Sequence, residues 1–171
     1  MSITIYQPAP LPAHEILREQ YVVASGALAV RNDRILQALV EEAAVLLETS
    51  MAAVSIIYKD WQYVIAATGI SPGAYSRRTS VCGHALATGD AIFHVGDMQA
   101  DGRFAGNPAV IASQGLRFYA GALLAMEGAP ALGTICVFDR QPRPTLSRAD
   151  CEALRSLAGR VLKRLVALSP A

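Results

Sequence analysis

A chain of 171 residues with 15 basic and 14 acidic side chains, a net charge of +1 and 53% apolar content fits one domain with a sizeable core. Its basic residues are scattered, which argues against a nucleic-acid or anionic-membrane partner. No apolar run approaches the roughly 20 unbroken residues of a membrane span. The N-terminus lacks the basic start and apolar core of a secretion signal, so the cytoplasm is the expected compartment.

In chain order, residues 1 to about 12 carry Pro8, Pro10 and Pro12 and read as an extended, loosely held lead-in. Residues 13–29 fit a short helix broken near Gly26. The next segment is a clear amphipathic helix. Asn32 or Asp33 caps it, and Ile35, Leu36, Leu39, Val40, Ala43, Leu46 and Leu47 recur at helical spacing. "AAVSIIYKDWQYVIAATG" reads as a β-hairpin turning at Lys59-Asp60. After a loop, Thr79 or Ser80 caps a short helix, "VCGHALAT", that Gly89 ends. "AIFHV" is a short strand. Asn107-Pro108 opens a helix, "NPAVIASQ", that stops at Gly115.

"GLRFYAGALLAMEGAPALGTICVFDRQPR" then gives a second, more apolar hairpin, stopped by Asp139 and the following prolines. Alternation puts Phe118 and Ala120 on one face and Arg117, Tyr119 and Gly121 on the other. Ser147 and Asp150 form a capping box for the last helix. On it Cys151, Leu154, Ala158, Val161, Leu165 and Leu168 make a coiled-coil-like seam, widened by Ala153, Leu157, Leu162 and Val166. Hairpin-joined strands with helices between them suggest one antiparallel sheet with helices on its faces.

The three cysteines, Cys82, Cys136 and Cys151, are odd in number and widely spaced, which fits neither a disulfide framework nor a zinc site. Phosphate-loop, dinucleotide-binding and serine-hydrolase signatures are absent.

The run "SVCGHALATGDAIFHVGDMQADGRFAGNPAV", followed by "LRFYAGALL", "LGTICVFDRQPR" and "LSRADCEALRSLAGRV", resembles the GAF domain family, the small-molecule-binding sensory domains of bacterial signalling proteins. The resemblance implies an α+β fold: a six-stranded antiparallel sheet with N- and C-terminal helices on one face and ligand-pocket helices and loops on the other. It divides the chain into an N-terminal extension with a short helix (1–30), a single GAF-type domain (31–168) and a tail (169–171). It also implies a signal-transduction role, with ligand-dependent change at the terminal helices, and no catalysis. The expected partners are an unidentified small molecule, a second copy joined through the terminal helices as a homodimer, and a signalling protein. Nucleic acid and membrane are not expected, and the cofactor is left unknown. Met1 and the short tail fit a stand-alone sensor better than a fragment.

Nine residues are candidates for ligand contact: Trp61, Tyr63, Tyr75, Cys82, His84, Asp97, Arg103, Phe118 and Tyr119. Trp61, Tyr63 and Tyr75 are aromatics in and after the first hairpin, where mobile loops close pockets. Asp97, Asp101 and Arg103 lie in the loop "DMQADGRF", where capping of the turn and pairing of the two aspartates with Arg103 outweigh metal ligation, while Arg103 suits an anionic ligand. Cys82 and His84, two apart on a helix, point about 200° from one another, which argues against a Cys–His nucleophile pair. Phytochrome-related members attach a bilin at a cysteine followed directly by histidine, but here Gly83 intervenes. Free methionine-R-sulfoxide reductases share the fold and a motif like "SVCG". Their further catalytic cysteine has no counterpart in "FHVGDMQADGRF", so a dithiol mechanism looks broken, and Cys136 reads as inert packing. The competing readings are such a reductase and a ligand-free dimerisation module.

Overall fold

A computed structural model describes residues 5–170. Helix α1 spans Glu15–Ser25 and a short 3₁₀ turn covers Ala27–Ala29. Helix α2 spans Arg34–Leu46, and Asp33 caps it by accepting from the backbone N–H groups of Ile35 and Leu36. Strands β1 (Met51–Tyr58) and β2 (Trp61–Thr68) form the first hairpin. A short strand β3 (Gly73–Ser76) adds to β2. Helix α3 (Val81–Thr88) begins where Ser80 accepts from the Gly83 N–H, and it ends at Gly89, whose φ of 71° a side chain would strain.

Strand β4 (Ile92–Val95), the one-turn helix α4 (Pro108–Ile111), strands β5 (Phe118–Leu123) and β6 (Gly133–Asp139), and helix α5 (Arg148–Leu168) complete the order. The capping box of Ser147 and Asp150 is present at the start of α5. Helix α4 is shorter than its sequence suggests. The chain turns extended at Ala112 and folds back, with the Leu116 N–H donating to the Ala109 carbonyl (2.9 Å) and Gly115 so close to the Val110 carbonyl that a side chain there would clash.

The strands form one antiparallel sheet in the order β3-β2-β1-β6-β5-β4. The second hairpin therefore supplies two inner strands, as the GAF resemblance implies. Alternation sorts the side chains into two cores. Helices α1, α2 and α5 cover one face, where Val54, Ile56, Phe118, Ala120, Ile135 and Val137 meet Leu36, Val40, Leu154 and Leu157. A bulge in the β1–β2 register between Val54 and Ser55 turns both Ile65 and Ala66 to that face. The other face carries Met51, Ala53, Ile57, Val64, Tyr119, Cys136 and Phe138 beneath α3, α4 and the loop holding Met98 and Phe104.

The lead-in is more firmly held than its prolines suggest. The Gln7 N–H donates to the Arg103 carbonyl (2.9 Å) and the Ala9 N–H to the Arg78 carbonyl (3.1 Å). The His84 Nε2 bonds the Gln7 carbonyl at 2.9 Å. Residues 1–4 lie outside the described residues.

A candidate ligand cavity floored by two cysteines

Between the sheet and the α3–α4 layer lies a cavity of about 220 Å³. Its floor is Cys82, Tyr119 and Cys136, its walls include Gln62, Val64, Ile70 and Phe138, and the exposed Tyr75 and Arg140 stand at the mouth. Tyr75, Ser76 and Arg140 are exposed, so the cavity opens to solvent.

The floor is assembled from three elements. Helix α3 brings Cys82, one residue after its first, where a helix N-terminus favours a thiolate. Strand β5 brings Tyr119, and β6 brings Thr134 and Cys136 on the same side. Gly121 lies two residues beyond Tyr119, and a methyl group there would come within 2.6 Å of the tyrosine hydroxyl. Its bare backbone thus lets the Tyr119 ring fold along the strand. The hydroxyls of Tyr119 and Thr134 both donate to the Cys82 Sγ, each at 3.2 Å. The sulfurs of Cys82 and Cys136 stand 3.8 Å apart. Behind them Gln62 donates to the Ser55 hydroxyl (2.9 Å) and accepts from Ser80, which ties the α3 cap to β1 and β2.

These contacts split the acidities of the floor. Hydrogen bonding from Cys136, reinforced by Thr134, Tyr119 and Ser55, lowers the Cys82 thiol to about 7 against the opposing effect of burial. Cys136 moves well upward because it donates to Cys82 and is itself buried beside that charge. Tyr119 also moves well upward, through burial first and then the charge on Cys82. The floor therefore holds one easily ionised thiol among groups that stay protonated.

Three of the nine sequence candidates meet here: Tyr75, Cys82 and Tyr119. Phe118 is turned to the helix face, because its neighbour Tyr119 takes the cavity side, and there it stacks edge-on with His94. Tyr63 lies on the helix face with it. Trp61, the first residue of β2, is 47% exposed and outside the cavity lining. His84 is buried against Phe104, and desolvation lowers its pKa. Asp97 makes a two-bond ion pair with Arg117, and Arg103 one with Asp101 while covering the Phe93 and Phe104 rings. Those four charged groups are spent on the loop's own architecture. Residue-by-residue reading missed Thr134, Ser55, Gln62 and the part played by Cys136. Strand alternation carried through β6 was the signal that puts Cys136 beside Tyr119.

A larger groove of about 650 Å³ runs between the start of α2 and the β2–β3 edge, lined by Arg31, Arg34, Gln37, Glu41 and Tyr63 among others. Its charged walls are mostly exposed, and among the described residues it holds no thiol or buried hydroxyl. Among the described residues no three potential metal ligands cluster, and no helix is long and apolar enough to cross a membrane.

A six-stranded antiparallel sheet with terminal helices on one face and a cavity on the other defines a small single-sheet α+β domain. The GAF domain family matches residues 31–165, and the chain belongs to that family. It is 35% identical over 156 residues to a cyclic di-GMP phosphodiesterase of Pseudomonas aeruginosa, which spans 91% of this chain but only 26% of that protein. The GAF domain of an Acinetobacter phosphoenolpyruvate-protein phosphotransferase superposes with a TM-score of 0.64 at 13% identity, covering 92% of this chain and 95% of the other. The free methionine-R-sulfoxide reductase of Neisseria meningitidis, solved with its substrate, gives 0.59 at 18% identity, covering 98% and 100%. These structural likenesses establish the fold.

Proposed function

We propose that the chain is a cytoplasmic sensory module that binds a compact small molecule in the cavity above Cys82 and Tyr119. The observation that carries the reading is the cavity itself: largely apolar walls, a polar floor and a cationic rim. Such a site suits a molecule with an apolar body and one polar or anionic edge, the edge meeting Arg140 or Gln62. The likeness to a cyclic di-GMP phosphodiesterase supports an output in second-messenger signalling. The three free cysteines suit a reducing compartment.

Occupancy acts on the terminal helices through the sheet that both cores share, and a ligand shifts that balance only by its differential affinity for the two states. The output surface we assign is a homodimer interface. Ile35, Val45 and Leu46 on α2 and Val166 on α5 are large apolar side chains at least half exposed.

Native mass spectrometry of freshly purified protein tests the reading. A retained small molecule that is lost when Leu116→Trp fills the cavity supports it. A bare polypeptide that gains no thermal stability in a metabolite screen contradicts it. Light scattering that finds only monomer at high concentration contradicts the dimer.

A further inference from the structure

We propose that Cys82 and Cys136 are a reversible redox pair, a peroxide-responsive dithiol in the cavity floor that closes to a disulfide between α3 and the sheet. The geometry supplies each requirement. The two sulfurs are 3.8 Å apart with no atom needed between them, so closing to the roughly 2 Å of a disulfide takes a short side-chain movement. Both thiols line a cavity that opens to solvent, which admits a small oxidant although each residue is almost fully buried. They come from elements 54 residues apart in the chain, so the bond would fasten the ligand-covering helix to an inner strand.

The two thiols have different roles. Cys82 is the attacking sulfur. It sits in the first turn of α3 and accepts from Tyr119 and Thr134, which stabilise its thiolate. With hydrogen peroxide, the thiolate attacks one oxygen, the O–O bond breaks, and the departing hydroxide takes up a proton as water. This leaves Cys82 as a neutral sulfenic acid. The negative charge that holds the Cys136 proton in place has then gone. Cys136 loses its proton and attacks the Cys82 sulfur, the S–S bond forms, the S–O bond breaks, and the hydroxyl leaves as a second water. Two thiols and one peroxide give one disulfide and two waters. A dithiol reductant reverses the reaction. Cys151, half-buried on α5 and remote from the cavity, takes no part.

The test uses the whole reduced chain, treated with a small excess of hydrogen peroxide, alkylated under denaturing conditions and mapped by mass spectrometry. The expected result is the loss of two alkylatable thiols and a peptide pair joining Cys82 to Cys136, both restored by dithiothreitol, with Cys151 still alkylated. Cys136→Ser should stop at a Cys82 sulfenic acid that dimedone traps. Thr134→Val should slow wild-type closure several-fold. Full alkylation of Cys82 and Cys136 after peroxide overturns the proposal. So does over-oxidation of Cys82 with Cys136 untouched, or cross-linking only through Cys151 between chains. The wild-type mapping is decisive on its own, whether or not the variants fold, and it does not depend on any ligand being found.

Discussion

The two faces of the sheet are built to different rules. The helix face is a mainly aliphatic core in which branched side chains of β1 and β6, with Phe118 and the alanines of β5, meet those of α2 and α5. The cavity face has aromatic and sulfur-bearing side chains around a void, with the polar atoms of Ser55, Thr134 and Tyr119 buried among them. One strand shows both: β5 gives Phe118, Ala120 and Ala122 to the first and Tyr119 and Gly121 to the second. The contrast separates jobs. Close packing on one side holds the fold, and the loose, hydrogen-bonded side keeps space and a reactive group available.

The largest expected effect tests the structural face. Leu154 and Leu157 are buried among α2 and the sheet, so Leu157→Ala should lower unfolding free energy by about 2–5 kcal/mol in denaturant melts, with the Cys82 chemistry kept. A smaller loss would mean that this face is less tightly packed than its neighbours suggest.

Next comes the join between the first and last long helices. Asp33 caps α2 and holds Arg164 of α5 through a fork of hydrogen bonds. Removing the cap with Asp33→Ala should remove about 1–2 kcal/mol. Hydrogen bonding from Arg164 holds the Asp33 carboxyl below its ordinary value of 3.8. A lowered folded-state pKa means that the stabilisation is present above 3.8 and is lost as pH falls through the folded value. The difference between wild type and Asp33→Asn should therefore be full at neutral pH and fade in acid melts.

On the cavity face the effects move chemistry more than stability. Iodoacetamide labelling of Cys82 should rise with pH through about 7, well below its ordinary 9.0. Tyr119→Phe removes one donor to the thiolate. It should shift that profile upward while lowering stability by only about 1 kcal/mol. Gly121→Ala should give the same shift without touching the hydroxyl, because the new methyl displaces the Tyr119 ring. An unchanged profile in both variants would detach Tyr119 from Cys82 and erase the chemical contrast between the faces.

Much of this was legible in the sequence where the cause is local. Asp33, Ser80 and the Ser147–Asp150 box cap helices through their own side chains, and strand alternation alone separates Phe118 from Tyr119. The α4 helix is short because the chain turns extended at Ala112 and folds back at once, the Leu116 N–H reaching the Ala109 carbonyl, a local loop that the helix signal does not encode. Cys136 is buried with its thiol pushed well upward, as inert packing implies, but its nearness to Cys82 is not written in the cysteine spacing. Its neighbourhood is made by the pairing of β6 with β1 and β5 and by α3 crossing above, none of which the spacing of three cysteines encodes. Arg103 finds the partner its spacing offers, Asp101 two residues away, whereas Asp97 pairs instead with Arg117, which only the folded loop brings near.

A crystal structure of protein purified straight from its host decides whether the cavity face is the sensing face. Density for a bound molecule should lie over Cys82 and Tyr119, with the packing between α2, α5 and the sheet unchanged. A floor closed by its own side chains, or a ligand seated instead in the groove between α2 and β3, would contradict it.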